Sequence, residues 1–145
     1  MSGASQGARH SVDRRYDLVL FQESSQYIDA NILFQRSRDL TRHIVVIDEF
    51  ALGPVDAPEA LHSLERFVAA AAGAGLEKVE ELDLSLQAAP TVKYFIDRLP
   101  RYHDRLVSDL GLTAAQIDDL IESGRRYHDL YRSGVYGYRL LVFER

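Results

Sequence analysis

The stretch YDLVLFQESSQYID, residues 16–29, decides how this chain is read. Residues 16–21, from Tyr16 to Phe21, form an almost uninterrupted apolar run, the pattern of a strand buried on both faces. The run exits into a polar turn and then a helix start. Asp29 or Asn31 is placed to cap that helix, expected over residues 30–40, with Ala30, Leu33 and Phe34 on one face. Residues 43–50, HIVVIDEF, form a second strand of the same buried type. Two such strands joined by a helix predict a parallel pair with a right-handed crossover.

The pattern continues downstream. GPVDAPE makes a turn, and Asp56 with Glu59 and the intervening Pro58 is a capping-box signature. The helix it opens carries Leu61, Leu64, Val68, Ala71 and Ala72 on one stripe and ends at Gly73 and Gly75. Over residues 76–86, Leu82, Leu84 and Leu86 alternate with Glu81, Asp83, Ser85 and Gln87, a strand with one wet face or edge. Helical spacing then runs from Val92 to Leu110, with Pro100 expected to kink or break it and Gly111 to end it. Thr113 with Gln116, stapled by Leu112 and Ile117, starts a further helix to about residue 131. After the turn RSGVYGY, residues 138–144 form a last strand. The order β-α-β-α-β-α-α-β predicts an α/β fold with a mostly parallel sheet.

At 145 residues the chain suits one domain, read as residues 16–145 behind a flexible, Gly/Ser-rich N-terminal arm over residues 1–15. A helical cap is expected at about residues 90–132. The net charge of −5, with basic residues dispersed along the sequence, gives no footprint for nucleic acid. No cysteine is present, which excludes disulfides and thiolate metal sites. The apolar runs are too short to span a bilayer, and the first residues hold no signal-peptide core, so a cytoplasmic protein is expected.

The segments YDLVLFQESSQYID and HIVVIDEFAL resemble the fourth-to-fifth-strand region of class I S-adenosylmethionine-dependent methyltransferases. LEKVEELDLSLQAAPTVKYFIDRLPRYHDRL and YGYRLLVFER resemble their sixth and seventh strands, in the small-molecule branch where inserted helices help to cap the substrate. The resemblance implies a partial Rossmann-like sheet of order 4-5-7-6, with the last strand antiparallel and a helical insertion before it. It also implies S-adenosylmethionine as cofactor. The family's glycine-rich turn has no counterpart: AAAGAG at residues 70–75 ends a helix, whereas that turn follows a strand and opens one. A two-sided apolar strand should not lie at a bare edge. The reading is therefore the C-terminal half of a split methyltransferase, completed when another chain pairs at residues 16–21. That chain would supply the glycine-rich half and most of the cofactor contacts. A fragment, or a homodimer pairing these edges, is the plainer alternative.

In open α/β sheets, ligands bind beyond the C-terminal ends of the strands. Two segments of this chain reach that position. By resemblance, Gln22 and Glu23 sit beside the cofactor and substrate, with Ser25 and Tyr27 on the substrate side; an ordinary polar loop is the competing reading. Asp48, Glu49 and Phe50 end the second strand; Asp48 and Glu49 could orient substrate or act as a base, or simply form its polar end. The repeated RYHD of residues 101–104 and 126–129 places His103 and His128 on neighbouring helices. One of them, or Glu23, would serve as a general base. Shared amphipathic-helix composition is the favoured account of the repeat, and as a metal pair the spacing is weak. Tyr94, Tyr102 and Tyr127 would line a pocket for a small, rather apolar substrate. Two functions compete: a catalytic subunit of a heteromeric methyltransferase, or a non-catalytic methyltransferase-like module that stabilises or activates a partner enzyme.

Overall fold

The computed structural model describes residues 15–54 and 61–145. The N-terminal arm, apart from Arg15, and the Asp56/Glu59 capping signature lie outside the described residues. Four strands form one sheet: β1 (Val19–Gln22), β2 (His43–Ala51), β4 (Tyr136–Glu144) and β3 (Glu77–Asp83), side by side in that order. β1 runs parallel to β2, with Val19 opposite Ile44. β4 runs antiparallel to both its neighbours. This is the 4-5-7-6 order expected above, with the last strand reversed between its neighbours.

Local chemistry explains the helix ends. Asp29 caps α1 (Ala30–Ser37), its Oδ1 accepting from the backbone N–H of Asn31 at 3.0 Å and of Ile32 at 3.1 Å. The cap of α2 (Leu64–Gly73) is Ser63, so that helix begins later than its apolar stripe suggests and leaves Leu61 in the loop. β3 is shorter than residues 76–86 because the Asp83 carboxylate accepts from Ser85 N–H at 2.9 Å and turns the chain into α3 (Ser85–Arg98). The break at Pro100 falls where expected. Leu99–Tyr102 tighten into a 3-10 turn before α4 (His103–Leu110), which Gly111 ends at φ 66°. Thr113 and Gln116 form the full reciprocal cap of α5 (Ala114–Arg132).

The sheet has two different faces. On one, Ile44, Val46 and Phe50 of β2 and Leu141 and Phe143 of β4 pack against α1 and α2. There the Phe34 ring sits edge-on to Phe67 at 4.8 Å and to Phe143 at 4.9 Å. Truncating any of these buried rings to Ala costs about 3–5 kcal/mol. On the other face, Ala51 at the end of β2 and Tyr136 at the start of β4 pack against Tyr131 of α5, with Tyr127 and Leu130 beside them.

β1 departs from the reading that it is buried on both faces. Val19 and Phe21 turn toward the core, but Leu18 is 48% and Leu20 is 51% exposed. One face of β1 is packed; the other face and the outer edge are open. β3, at the opposite edge, exposes every residue.

Candidate functional site

Side-chain alternation on β2 organises the site. Asp48 and Glu49 are neighbours in sequence, so they point to opposite faces of the sheet. Asp48 is buried, and its Oδ2 accepts from the backbone N–H of Ser25 at 2.8 Å and from Ser25 Oγ at 2.6 Å. Its Oδ1 accepts from Glu49 N–H at 2.9 Å. Ser25 is likewise buried. This pair fixes the turn that leaves β1 to the end of β2.

Glu49 points to the α5 side. Its two oxygens accept from the hydroxyls of Tyr127 and of Tyr131, the latter at 2.8 Å. Burial, then the Glu49 hydrogen bond and charge, pushes the Tyr127 phenol well above its ordinary range. Burial followed by the Glu49 charge does the same for Tyr131. Both phenols therefore remain donors through neutral pH, and Glu49 is held as their common acceptor.

The turn after β1 carries a second arrangement. Glu23 adopts φ 49°, a left-handed conformation unusual for a residue with a Cβ. Its backbone N–H still reaches Ile47 O at 2.9 Å, and its carboxylate accepts from Tyr138 OH at 2.9 Å. Burial, then this hydrogen bond, raises the Tyr138 pKa. Gln26 ties the turn to two other segments. Its Nε2 donates to the Glu49 carbonyl, and its Oε1 accepts from His62 N–H at 2.8 Å. The His62 ring Nε2 lies 3.1 Å from Ser25 O and 3.0 Å from Ile28 O, which makes it the protonated ring nitrogen.

These groups border a cleft of about 590 Å³ lined by Glu23, Gln26, Tyr27, Asp48, Glu49, Leu61 and Tyr127. Glu23, Tyr27, Asp48, Glu49 and Tyr127, anticipated from sequence, thus come together. Ser25 lies directly behind, against Asp48, and Gln22 is exposed at the end of β1. Phe50 is fully buried and stacks near Phe67 at 5.0 Å, so its side chain belongs to the core. Its parity with Ile44 and Val46 is the signal for that placement.

Tyr94, Tyr102, His103 and His128 do not line the cleft. The Arg98 guanidinium sits 4.7 Å from the Tyr94 ring centre, and Tyr102 is half exposed. His103 Nδ1 is 3.2 Å from Asp104, and His128 Nδ1 is 3.8 Å from Asp129, so each histidine faces its own neighbour in sequence. Among the described residues no three His, Asp or Glu side chains gather as a metal site, and no helix is long and apolar enough to cross a membrane. Sequence reading passed over Gln26, His62 and the role of Tyr131. The i, i+4 spacing of Tyr127 and Tyr131 was the available signal for the last. Nothing in the sequence marks the other two.

No family model and no curated protein matches the sequence. Solved structures do match the fold. The cyclopropane synthase MmaA2 from Mycobacterium tuberculosis superposes with a TM-score of 0.78 at 10% identity, over 91% of this chain and 56% of that one. A putative sarcosine dimethylglycine methyltransferase from Galdieria sulphuraria gives 0.75 at 13% identity, over 91% and 54%. The O-methyltransferase of a trans-AT PKS multienzyme of Brevibacillus brevis, in complex with S-adenosyl-L-homocysteine, gives 0.63 at 21% identity, over 91% and 44%. The chain spans about half the length of these structures. With its sheet order and reversed last strand, it has the fold of the C-terminal half of a class I S-adenosylmethionine-dependent methyltransferase.

Proposed function

We propose that this chain is the substrate-side half of an S-adenosylmethionine-dependent methyltransferase acting on a small metabolite, completed by a glycine-rich half that pairs along β1. One observation carries the reading. Half-exposed Leu20 of β1, with Leu18 just before the strand, leaves an apolar edge open beside the polar cleft. A completing strand there would bury that edge and bring a second wall to the cleft.

Among the described residues no glycine-rich turn joins a strand to a helix start, so the wrapping of the cofactor falls to the completing half. When bound, S-adenosylmethionine supplies the methyl group from a sulfonium centre. Gln22 and Glu23, exposed at the end of β1, are this chain's own groups toward it. The methyl acceptor would rest on Leu61 and the ring faces of Tyr27 and Tyr127. Glu23 would take a proton from the acceptor, since it accepts one phenolic hydrogen, from Tyr138, where Glu49 accepts two. Most of the rate advantage would come from positioning, which the Asp48–Ser25 and Glu49–tyrosine anchors provide.

Mixing the chain with a glycine-rich half tests this directly. S-adenosylhomocysteine should bind the complex and neither half alone. Tight binding by this chain as a monomer would overturn the reading. One observation favours the second reading, a non-catalytic module: Glu23, Asp48 and Glu49 are all hydrogen-bonded within the chain. Glu23→Gln separates the two. It should abolish methyl transfer with the complex intact if the chain is catalytic, and leave the rate unchanged if it is not.

A further inference from the structure

The arginines are scattered along the sequence, yet the fold gathers four of them. Arg15, Arg38, Arg42 and Arg145 line one cleft of about 610 Å³ near the start of β1 and β2, at the opposite end of the strands from the methyl-transfer cleft. Asp17 and Asp39 offset two of these charges, and His43 on the same wall pairs with Glu144 at 3.3 Å. An excess of positive charge is thus concentrated on a chain whose net charge is −5.

Two of the guanidinium groups are already employed. Arg38 Nη1 donates to Ala74 O at 2.7 Å, and Arg145 Nη1 donates to Arg38 O at 3.3 Å. Those of Arg15 and Arg42 meet no hydrogen-bond or ion-pair partner among the described residues. The Arg42 backbone is nonetheless held in place, its carbonyl accepting from Arg145 N–H at 3.1 Å at the end of β4. Like charges gathered in one concavity raise each other's energy and attract a compensating anion.

We propose that this cleft binds a small phosphate-bearing molecule, a diphosphate or phosphate monoester, through Arg42 and Arg15. Compact multiple charge matches the local excess, and the planar guanidinium fork matches phosphate oxygens two at a time. Tyr16, on the same wall, carries a phenol that could add a further donor. The proposal stands apart from the methyltransferase reading, because it involves none of the residues of that cleft.

Titrating the full chain with inorganic pyrophosphate at low salt, followed by nuclear magnetic resonance, tests it. Saturable binding is expected, weakened at least about tenfold by Arg42→Gln and by Arg15→Gln. Arg125→Gln, on the exposed surface of α5, should leave the affinity within about twofold. Absence of saturable binding overturns the proposal, as does equal weakening by Arg125→Gln. Tighter binding of a hexaglutamate peptide than of pyrophosphate also overturns it, and assigns the cleft to an acidic protein segment. Both test side chains are exposed, and the two variants are independent readings of the same site.

Discussion

The two edges of the sheet carry opposite kinds of side chain. β3 exposes all seven of its residues, and five of them are charged: Glu77, Lys78, Glu80, Glu81 and Asp83. Its attachment to β4 is reinforced by Arg139, which pairs with Glu81 at 3.4 Å and with Asp83. β1 has four residues, none charged, preceded by the half-exposed Tyr16 and Leu18, and charge enters only beyond its ends, at Asp17 and Glu23. Charged edges repel further strands, whereas apolar edges invite them. β3 has the side chains of a sheet's end, and β1 has those of a strand that another strand could join.

The largest expected effect falls on β1. Glu23 N–H bonds to Ile47 O, so by alternation the Leu20 N–H faces the free edge rather than β2. Leu20→Pro removes that outward donor and spares the ladder to β2. Co-purification with a glycine-rich half should be lost, and methyl transfer should fall by about 100-fold or more, while the circular dichroism of this chain is retained. Intact assembly in the variant would mean that β1 is not the seam.

Making β3 resemble β1 gives the next effect. Lys78→Val combined with Glu80→Val removes two guards from the charged edge. Light scattering should then report concentration-dependent self-association that the unaltered β3 edge does not support. A variant as monodisperse as the parent chain would show that charge is not what keeps β3 free.

Smaller effects test how each edge is fastened. Ser25→Ala strips a hydroxyl from buried Asp48 at the exit of β1 and should lower stability by about 1–3 kcal/mol in urea unfolding. At high pH the tyrosine anchors dominate. The folded state binds the Tyr127 and Tyr131 protons more tightly than the unfolded chain does. Their contribution is therefore complete below pH about 10 and is lost as pH rises above it. The melting temperature should fall above that pH, less steeply in Tyr127→Phe. At low pH the weakest effect appears at β3. Ser85 hydrogen bonds, aided by Arg139, hold the Asp83 pKa below its ordinary 3.8. Its contribution is present above that value and lost as pH falls below it, and it is small because the side chain is 60% exposed. The protection factors of the β3 amides, each rate taken relative to the intrinsic rate at that pH, should fall on acidification before those of β2 do.

The sequence carried the architecture well because the architecture rests on local signals. Alternation marked β3 as wet, Asp29 and Thr113 marked helix starts, and Pro100 and Gly111 marked a break and an end. Burial of β1 could not be read in the same way. An apolar run reports what a strand needs, not what the chain itself supplies, and Leu18 and Leu20 are left uncovered by the described residues. The site was half legible. Asp48 and Glu49 stood out as strand-end carboxylates, but their opposite directions follow only from knowing which parity faces α1 and α2. Arg139 and Asp83, Gln26 and His62, and the four gathered arginines are meetings of distant residues, and no spacing rule anticipates them.

Asp48 and Glu49 also act as a mechanical coupling. One carboxylate grips the turn after β1 and the next grips two tyrosines of α5, with a single peptide unit between them. A displacement of α5 toward or away from an occupant of the cleft would pull on the same stretch of β2 that holds the mouth of β1. In the proposed complex, filling the pocket and tightening the pairing along β1 would then be two ends of one lever.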